Sequence, residues 1–590
     1  MKKLIYSLIV IIGVLIISIA LEPGFTPKGS LYIYNGPIHT MEDNQPEVNA
    51  VFVNKGKIVA VGTDPELRTH LTETTQILDL KGAALLPGFI DPHTHPVVSS
   101  FLNGMIDLSG FKHKNQEEIW SYLESKIKNY TPGKWILCKG LDLVLVDDLE
   151  PPHISYLDSI APKSPLLIAS LSMHSFWGNT LAFQNAGITN ETPNPTESSF
   201  YGRDSSRKLN GYISEQLAFQ PFKEAVIQSL GTKILKEKFV TVLDEYAAHG
   251  NTSITSMGIT TNDPNVIRLY QHLSSESSSF ISRILQKFGQ LPERKPTIRN
   301  FVFVRDDADH LLPKSSNNGD DFFKITGVKF WMDGSPYTGS MFLNAPFKLS
   351  EVNQKKIHVP EGYSGKALLN YSELSQRIQD YEINGWQVAV HTQGDQAIEK
   401  TLNVFESANI SNNSRHRLEH CLLPDTNSLE RMANLGVLPS FHINHLWYYG
   451  EALENHIIGK KRTEQILPLK KAENASLKYS LHADQPMFKS KPLSLLHTAV
   501  NRRTRDGRII NTKNKISVMS GLKALTINAA WQIKMEDKIG SIAPGKYADF
   551  VIIDQNPLTI DSTKIKDIQV LQTIVNGNTI YKKYSTILNH

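Results

Sequence analysis

Cysteine is scarce in this chain: Cys138 and Cys421 are the only two among 590 residues. Two thiols cannot build a disulfide scaffold or a multi-cysteine metal cluster, so a bound metal would have to rely on histidine and carboxylates. Excess charge of one sign is also lacking. With 62 Lys and Arg against 58 Asp and Glu, the formal net charge is +4. No block of five or six like charges occurs, so no nucleic-acid partner is expected. There is no Walker A motif, no Rossmann glycine turn and no Gly-x-Ser-x-Gly elbow. Kinase, dinucleotide-oxidoreductase and serine-hydrolase readings therefore lose their usual support. Internal repeats and low-complexity tracts are absent too. At 40% hydrophobic and 20% charged residues, the chain is neither disordered nor fibrous, and it can bury a sizeable core.

Long apolar runs are missing except at the start. Met1-Lys2-Lys3 precedes an apolar stretch from Leu4 to Leu21, with Ser18-Ile19-Ala20 as a small-residue cleavage candidate. A basic start and an apolar core are the parts of a secretory signal, and the run just reaches membrane-spanning length. Residues 1–25 are expected to be a signal peptide or a membrane anchor. The protein would then be exported (periplasmic or extracellular) or tethered through residues 4–21.

Both ends of the remaining chain are rich in strand patterns. Ala50-Val51-Phe52-Val53 and Lys57-Ile58-Val59-Ala60-Val61 flank the turn Asn54-Lys55-Gly56, and a hairpin surrounds Asn576-Gly577. Residues 26–86 and 536–590 are expected to form one small β-sandwich. Between them, residues 87–535 alternate strands with helical patterns, which argues for a parallel sheet in an α/β fold. Eight candidate strands are Ala84–His95, Thr252–Met257, Phe280–Leu285, Phe323–Met332, Gln387–His391, His416–Cys421, Gly436–His442 and Lys478–Asp484. Eight such units read as a TIM-like (β/α)8 barrel; two separate α/β domains are the other arrangement they allow. The gap after the first strand is too long for a loop. Residues of about 100–235 are therefore expected to form an inserted subdomain at the barrel mouth.

The sharpest chemical feature is Asp91-Pro92-His93-Thr94-His95 at the end of the first candidate strand. In a strand, residues i and i+2 share a face, so His93 and His95 project together at the end where barrels build their sites. Paired imidazoles favour a divalent transition metal. His391, His420 and Asp484 end later candidate strands. Each alone is an ordinary polar residue, but together they would converge on one mouth. Lys329 lies in Gly327-Val328-Lys329-Phe330-Trp331, where a lysine facing inward would be costly.

With these residues in hand the chain resembles the amidohydrolase superfamily. It is most similar to the amidohydrolase-3 (YtcJ-like) branch that includes N-substituted formamide deformylase. The resemblance rests on Leu86–His95, Met173–Thr180, Val328–Ser335, His391–Ala397, Arg417–His420 and Ala483–Pro486, with Gly540–Asp549 returning to the sandwich. It implies one or two divalent metals, usually zinc. His93, His95 and Asp484 would bind the first. His391 and His420 would bind the second, and a carboxylated Lys329 would bridge the two. A metal-activated hydroxide would hydrolyse a non-peptide C–N bond in an amide-type or formamide-like small molecule. Asp484 would shuttle the proton, and His174 from the insert would reach the substrate or the oxyanion. Asp395 would position a loop or a ligand imidazole, and Glu419, turned away from His420, would pair with Arg417. The chain departs from the family pattern at His482, where a small residue is usual, and at His442-Ile443-Asn444-His445, where Gln-Pro-x-His is usual. Other readings of the same site are a deaminase, a cyclic-amide or ester hydrolase, or a binding or regulatory protein that kept the fold.

Overall fold

The computed structural model describes residues 25–27, 29–196, 199–259 and 265–583. The signal peptide or anchor expected at residues 1–25 lies outside them save for Phe25. Among the described residues no helix is long and apolar enough to cross a membrane.

Eight parallel strands form the central sheet in chain order: β1 (Phe89–Thr94), β2 (Asn251–Ile259), β3 (Arg299–Arg305), β4 (Phe323–Trp331), β5 (Gln387–Thr392), β6 (Arg417–His420), β7 (Leu438–Phe441) and β8 (Ser480–Leu481). The chain closes the ring beyond β8, where the His95 N–H donates to the Gln485 carbonyl at 2.7 Å. This is the expected (β/α)8 barrel, with corrections to two of its candidate strands. Phe280–Leu285 is not a strand but part of a helix, Phe280–Lys287. Ser279 caps that helix by accepting from the Ser282 N–H at 3.2 Å. The third strand lies further on, at Arg299–Arg305, where Phe301, Val302, Phe303 and Val304 are fully buried. Its polar start, Arg299-Asn300, hides it from a pattern search. Arg299 is buried because its guanidinium makes a two-point contact with Asp549, at 2.6 and 2.9 Å.

The predicted strand Ala84–His95 is two strands. Ala84–Pro87 belongs to a sheet built from both chain ends, and β1 belongs to the barrel. The chain crosses between them at Gly88, where a Cβ would lie 2.1 Å from Thr252 Cγ2. Only glycine fits that approach. The terminal sheet has eight strands. Ala84–Pro87 pairs antiparallel with Phe550–Ile553, joining the N-terminal strands to the C-terminal ones. Period-two alternation directs Leu85 into the sheet's own core, with Ile33, Val51 and Phe550, and Leu86 into the barrel core.

Between β1 and β2 the chain builds a separate six-stranded sheet from strands lying within residues 106–214. Alternation along it fills two cores. Leu137, Leu167 and Phe176 serve one face, and Ile136, Leu166 and Trp177 the other. The insert touches the barrel through the Asp142 carboxylate, which accepts from Tyr449 Oη. The helix Thr232–Ala248 then packs Phe239, Val242 and Leu243 into the barrel core.

Candidate metal centre

His93 sits within β1, and His95 just beyond it. The two Nε2 atoms approach Asp484 Oδ1, at 3.5 Å and 3.0 Å respectively. Asp484 stands just past β8, and His420 ends β6. The His420 ring lies 4.7 Å from the His93 ring and 4.3 Å from His391, centre to centre. The register places Thr392 beside His420 and Trp331 beside His391, so the ends of β4, β5 and β6 meet at one level. Lys329, on β4, is wholly buried, and its Nζ has no hydrogen-bond partner.

Among the described residues, three groups of side chains present ligand atoms within 4.8 Å of one another. They are His93, His95 and Asp484; His420, His442 and His482; and His93, Glu419 and His482. The first is the expected trio. His391 is in none of them. Its Nε2 faces the Gly334 carbonyl at 3.3 Å and Asp333 Oδ1 at 3.8 Å.

The electrostatics suit a cation. Burial pushes His391 down to about 3 and His442 to about 4, and His93, His420 and His482 fall well below the usual histidine range. These rings are neutral at pH 7 and carry free lone pairs. Burial opposes the charge on Asp484, but His95, His442 and His482 outweigh it and hold the carboxyl well below the usual carboxylate range. Burial also lowers Lys329 to about 8, against the pull of Glu419 and Asp484. Neutral imidazoles and an ionised carboxylate gathered at one barrel end, beside a buried amine without a hydrogen-bond partner, fit a divalent metal.

Supporting residues complete the picture. Glu419 forms the expected ion pair with Arg417, Nε to Oε1 at 2.8 Å. It does more than buttress, because its Oε2 lies 2.6 Å from His93 Nδ1. That bond orients the ring and turns Nε2 toward Asp484. Asp395 holds a loop, accepting from the Asn344 N–H at 2.8 Å. The carboxylate beside His391 is instead Asp333, which also accepts from the Phe342, Gln393 and Gly394 N–H groups. Asp91 accepts from the His93 N–H at 3.2 Å and from Ser490 Oγ at 2.6 Å. Both acids lie inside motifs visible in the sequence, but their contacts with residues far along the chain are not.

His174 is not among the ligand groups. It lines a cavity of about 290 Å³ between insert and barrel, with Trp177, Tyr212, Tyr337 and Tyr449 among its walls. Its Nδ1 is 2.9 Å from Glu215 Oε2. It is near enough to His391 to add a small repulsion to protonation of that ring.

Comparison with known proteins agrees with this architecture. The chain is 24% identical over 578 residues to N-substituted formamide deformylase of Arthrobacter pascens, covering 95% of this chain and 99% of that one. It is 23% identical over 562 residues to the putative amidohydrolase YtcJ of Bacillus subtilis, covering 93% and 99%. An uncharacterized metal-dependent hydrolase from Pyrococcus horikoshii superposes with a TM-score of 0.67 at 21% identity, over 90% of this chain and 99% of that one; at that identity the likeness speaks for the fold. Residues 76–581 match the model of the amidohydrolase family, and the chain belongs to that family.

Proposed function

We propose that this protein is a zinc-type metallohydrolase that cleaves a non-peptide C–N bond in a small amide or formamide-like molecule. The observation that carries this is the convergence of His93, His95 and Asp484 beside His420 and the unpartnered Lys329 amine, all at one barrel end. The name of the Arthrobacter relative, a formamide deformylase, favours an amide-type substrate.

His93, His95 and Asp484 would hold one ion, and His420 and His391 a second. A bound divalent ion would supply the Lewis acidity that acidifies a water and polarises the substrate carbonyl. Everything else falls to the chain's own groups. Glu419 keeps His93 in one tautomer and one orientation. Lys329, with its amine partly neutral near pH 8, would add carbon dioxide at Nζ and release a proton. The buried cation then becomes a carboxylate, which neighbouring cations would stabilise. Asp484 would accept the proton of the attacking water and pass it to the leaving nitrogen. His174, steadied by Glu215, would meet the carbonyl oxygen or the nitrogen substituent from the aromatic cavity. The apolar run at residues 4–21 supports export or tethering, so the substrate would be met outside the cytoplasm.

The test is a turnover panel of N-formyl and N-acyl amines alongside a dipeptide, an ester and an aminopurine. Release of acid and amine from the first group is expected, abolished by chelation and restored by zinc. Turnover confined to the dipeptide, the ester or deamination would overturn the bond assignment.

A further inference from the structure

Two histidines of the mouth have no part in the scheme above. His442 lies just past β7 and His482 just past β8. Both are wholly buried, with ring centres 5.0 Å apart. Their outer nitrogens are occupied. His442 Nε2 lies 3.1 Å from the Ala483 carbonyl. A carbonyl only accepts, so in the neutral ring Nε2 carries the proton and Nδ1 the lone pair. That Nδ1 is buried without a hydrogen-bond partner. His482 Nδ1 is held by Ser440 Oγ at 2.9 Å, and Ser440 in turn meets Ser480, which donates to Gln532 Oε1. This leaves His482 Nε2 facing His420 Nδ1 at 3.3 Å. Two nitrogens sharing one tetrahedral zinc ion at about 2.05 Å stand about 3.3 Å apart. Fixing the far nitrogen of an imidazole, so that the near one is aimed, is the usual support of a metal ligand.

The carboxylate of Asp484 divides in the same way. Oδ1 faces His93 and His95, whereas Oδ2 lies 4.0 Å from both His420 Nδ1 and His442 Nδ1.

We propose that the second ion is held not by His420 with His391, as assigned above, but by His420, His442 and His482 with Asp484 Oδ2, at a position that needs neither His391 nor Lys329. The inference rests on the reading that this mouth binds metal, but not on the substrate assigned above. In this arrangement Asp484 is the carboxylate between two ions, one on each oxygen.

Zinc equivalents are counted in the full chain after chelation, resupply and gel filtration, and the absorption of the cobalt-substituted protein is recorded beside them. Lys329→Ala combined with His391→Ala should retain two equivalents. Adding His442→Gln and His482→Gly should lower this to one and remove one set of cobalt bands. If the first variant already holds one equivalent, and the added changes alter neither count nor spectrum, the proposal is overturned while the first site stands. A wild-type chain that binds no zinc would overturn both readings. If circular dichroism reports the fourfold variant unfolded, His442→Gln alone decides. It should weaken the lower-affinity cobalt site at least about tenfold, and an unchanged affinity would count against the proposal.

Discussion

Lys329 is a buried amine whose Nζ has no hydrogen-bond partner, and the acid–base behaviour of the metal-free protein should reveal it. Burial takes the amine from 10.5 to about 8. Between those values the unfolded chain binds a proton that the folded chain has released, so stability rises with pH across that window. The slope from this one group is at most about 1.4 kcal/mol per pH unit. Urea unfolding of the chelated protein should show this rise from pH 8 to 10, and Lys329→Met should remove it. Equal slopes in the two proteins would mean that the amine is solvated and not poised for carboxylation. At the same scale, some roles were legible in the sequence and others were not. The ligand-type residues His93, His95, His420 and Asp484 stood at strand ends, and a period-two argument brings the first two together. Glu419 pairs with Arg417 as expected, but it has a second contact as well. His420 takes a left-handed backbone conformation (φ 71°), so strict alternation does not hold there, and Glu419 reaches across to His93 Nδ1. Nothing local to Arg417-Leu418-Glu419-His420 encodes a contact with residue 93.

Among elements, the junction at Gly88 is a tight one. A methyl group there would meet the Thr252 side chain at the crossing from terminal sheet to barrel. Gly88→Ala should cost about 1–3 kcal/mol of stability, as overpacking does, measurable as a lowered denaturation midpoint at unchanged m-value. A midpoint equal to the wild type would show that β1 and β2 can separate locally. Element type was readable where one period dominated, as in Gln387–Thr392 and Arg417–His420. It failed at Phe280–Leu285, whose apolar residues fit a helical face as well as a short strand. It failed also at Arg299–Arg305, where the buried arginine looks like a loop residue until Asp549, 250 positions away, is brought to it. The insert was detectable only as a gap too long to be a loop, because its six-stranded order is set by tertiary contact.

For the whole molecule, Arg299 and Asp549 tie barrel strand β3 to the chain returning into the terminal sheet. Asp549 also accepts from the Asn576 N–H at 2.8 Å. Asp549→Asn should cost about 3–5 kcal/mol, because it leaves a buried guanidinium without its charge partner; calorimetry or urea titration would read the loss. The terminal sheet therefore acts as a brace for the barrel whose open end carries the histidines. The central claim is that this end is a metal centre. Metal analysis of the full chain, purified without chelator and compared with the variant carrying His93→Ala, His95→Ala and Asp484→Ala, tests it most directly. The account predicts at least one tightly held divalent ion in the wild type and the loss of at least one equivalent in the variant, with the fold retained. A wild-type chain that holds no metal even after zinc is resupplied would contradict it.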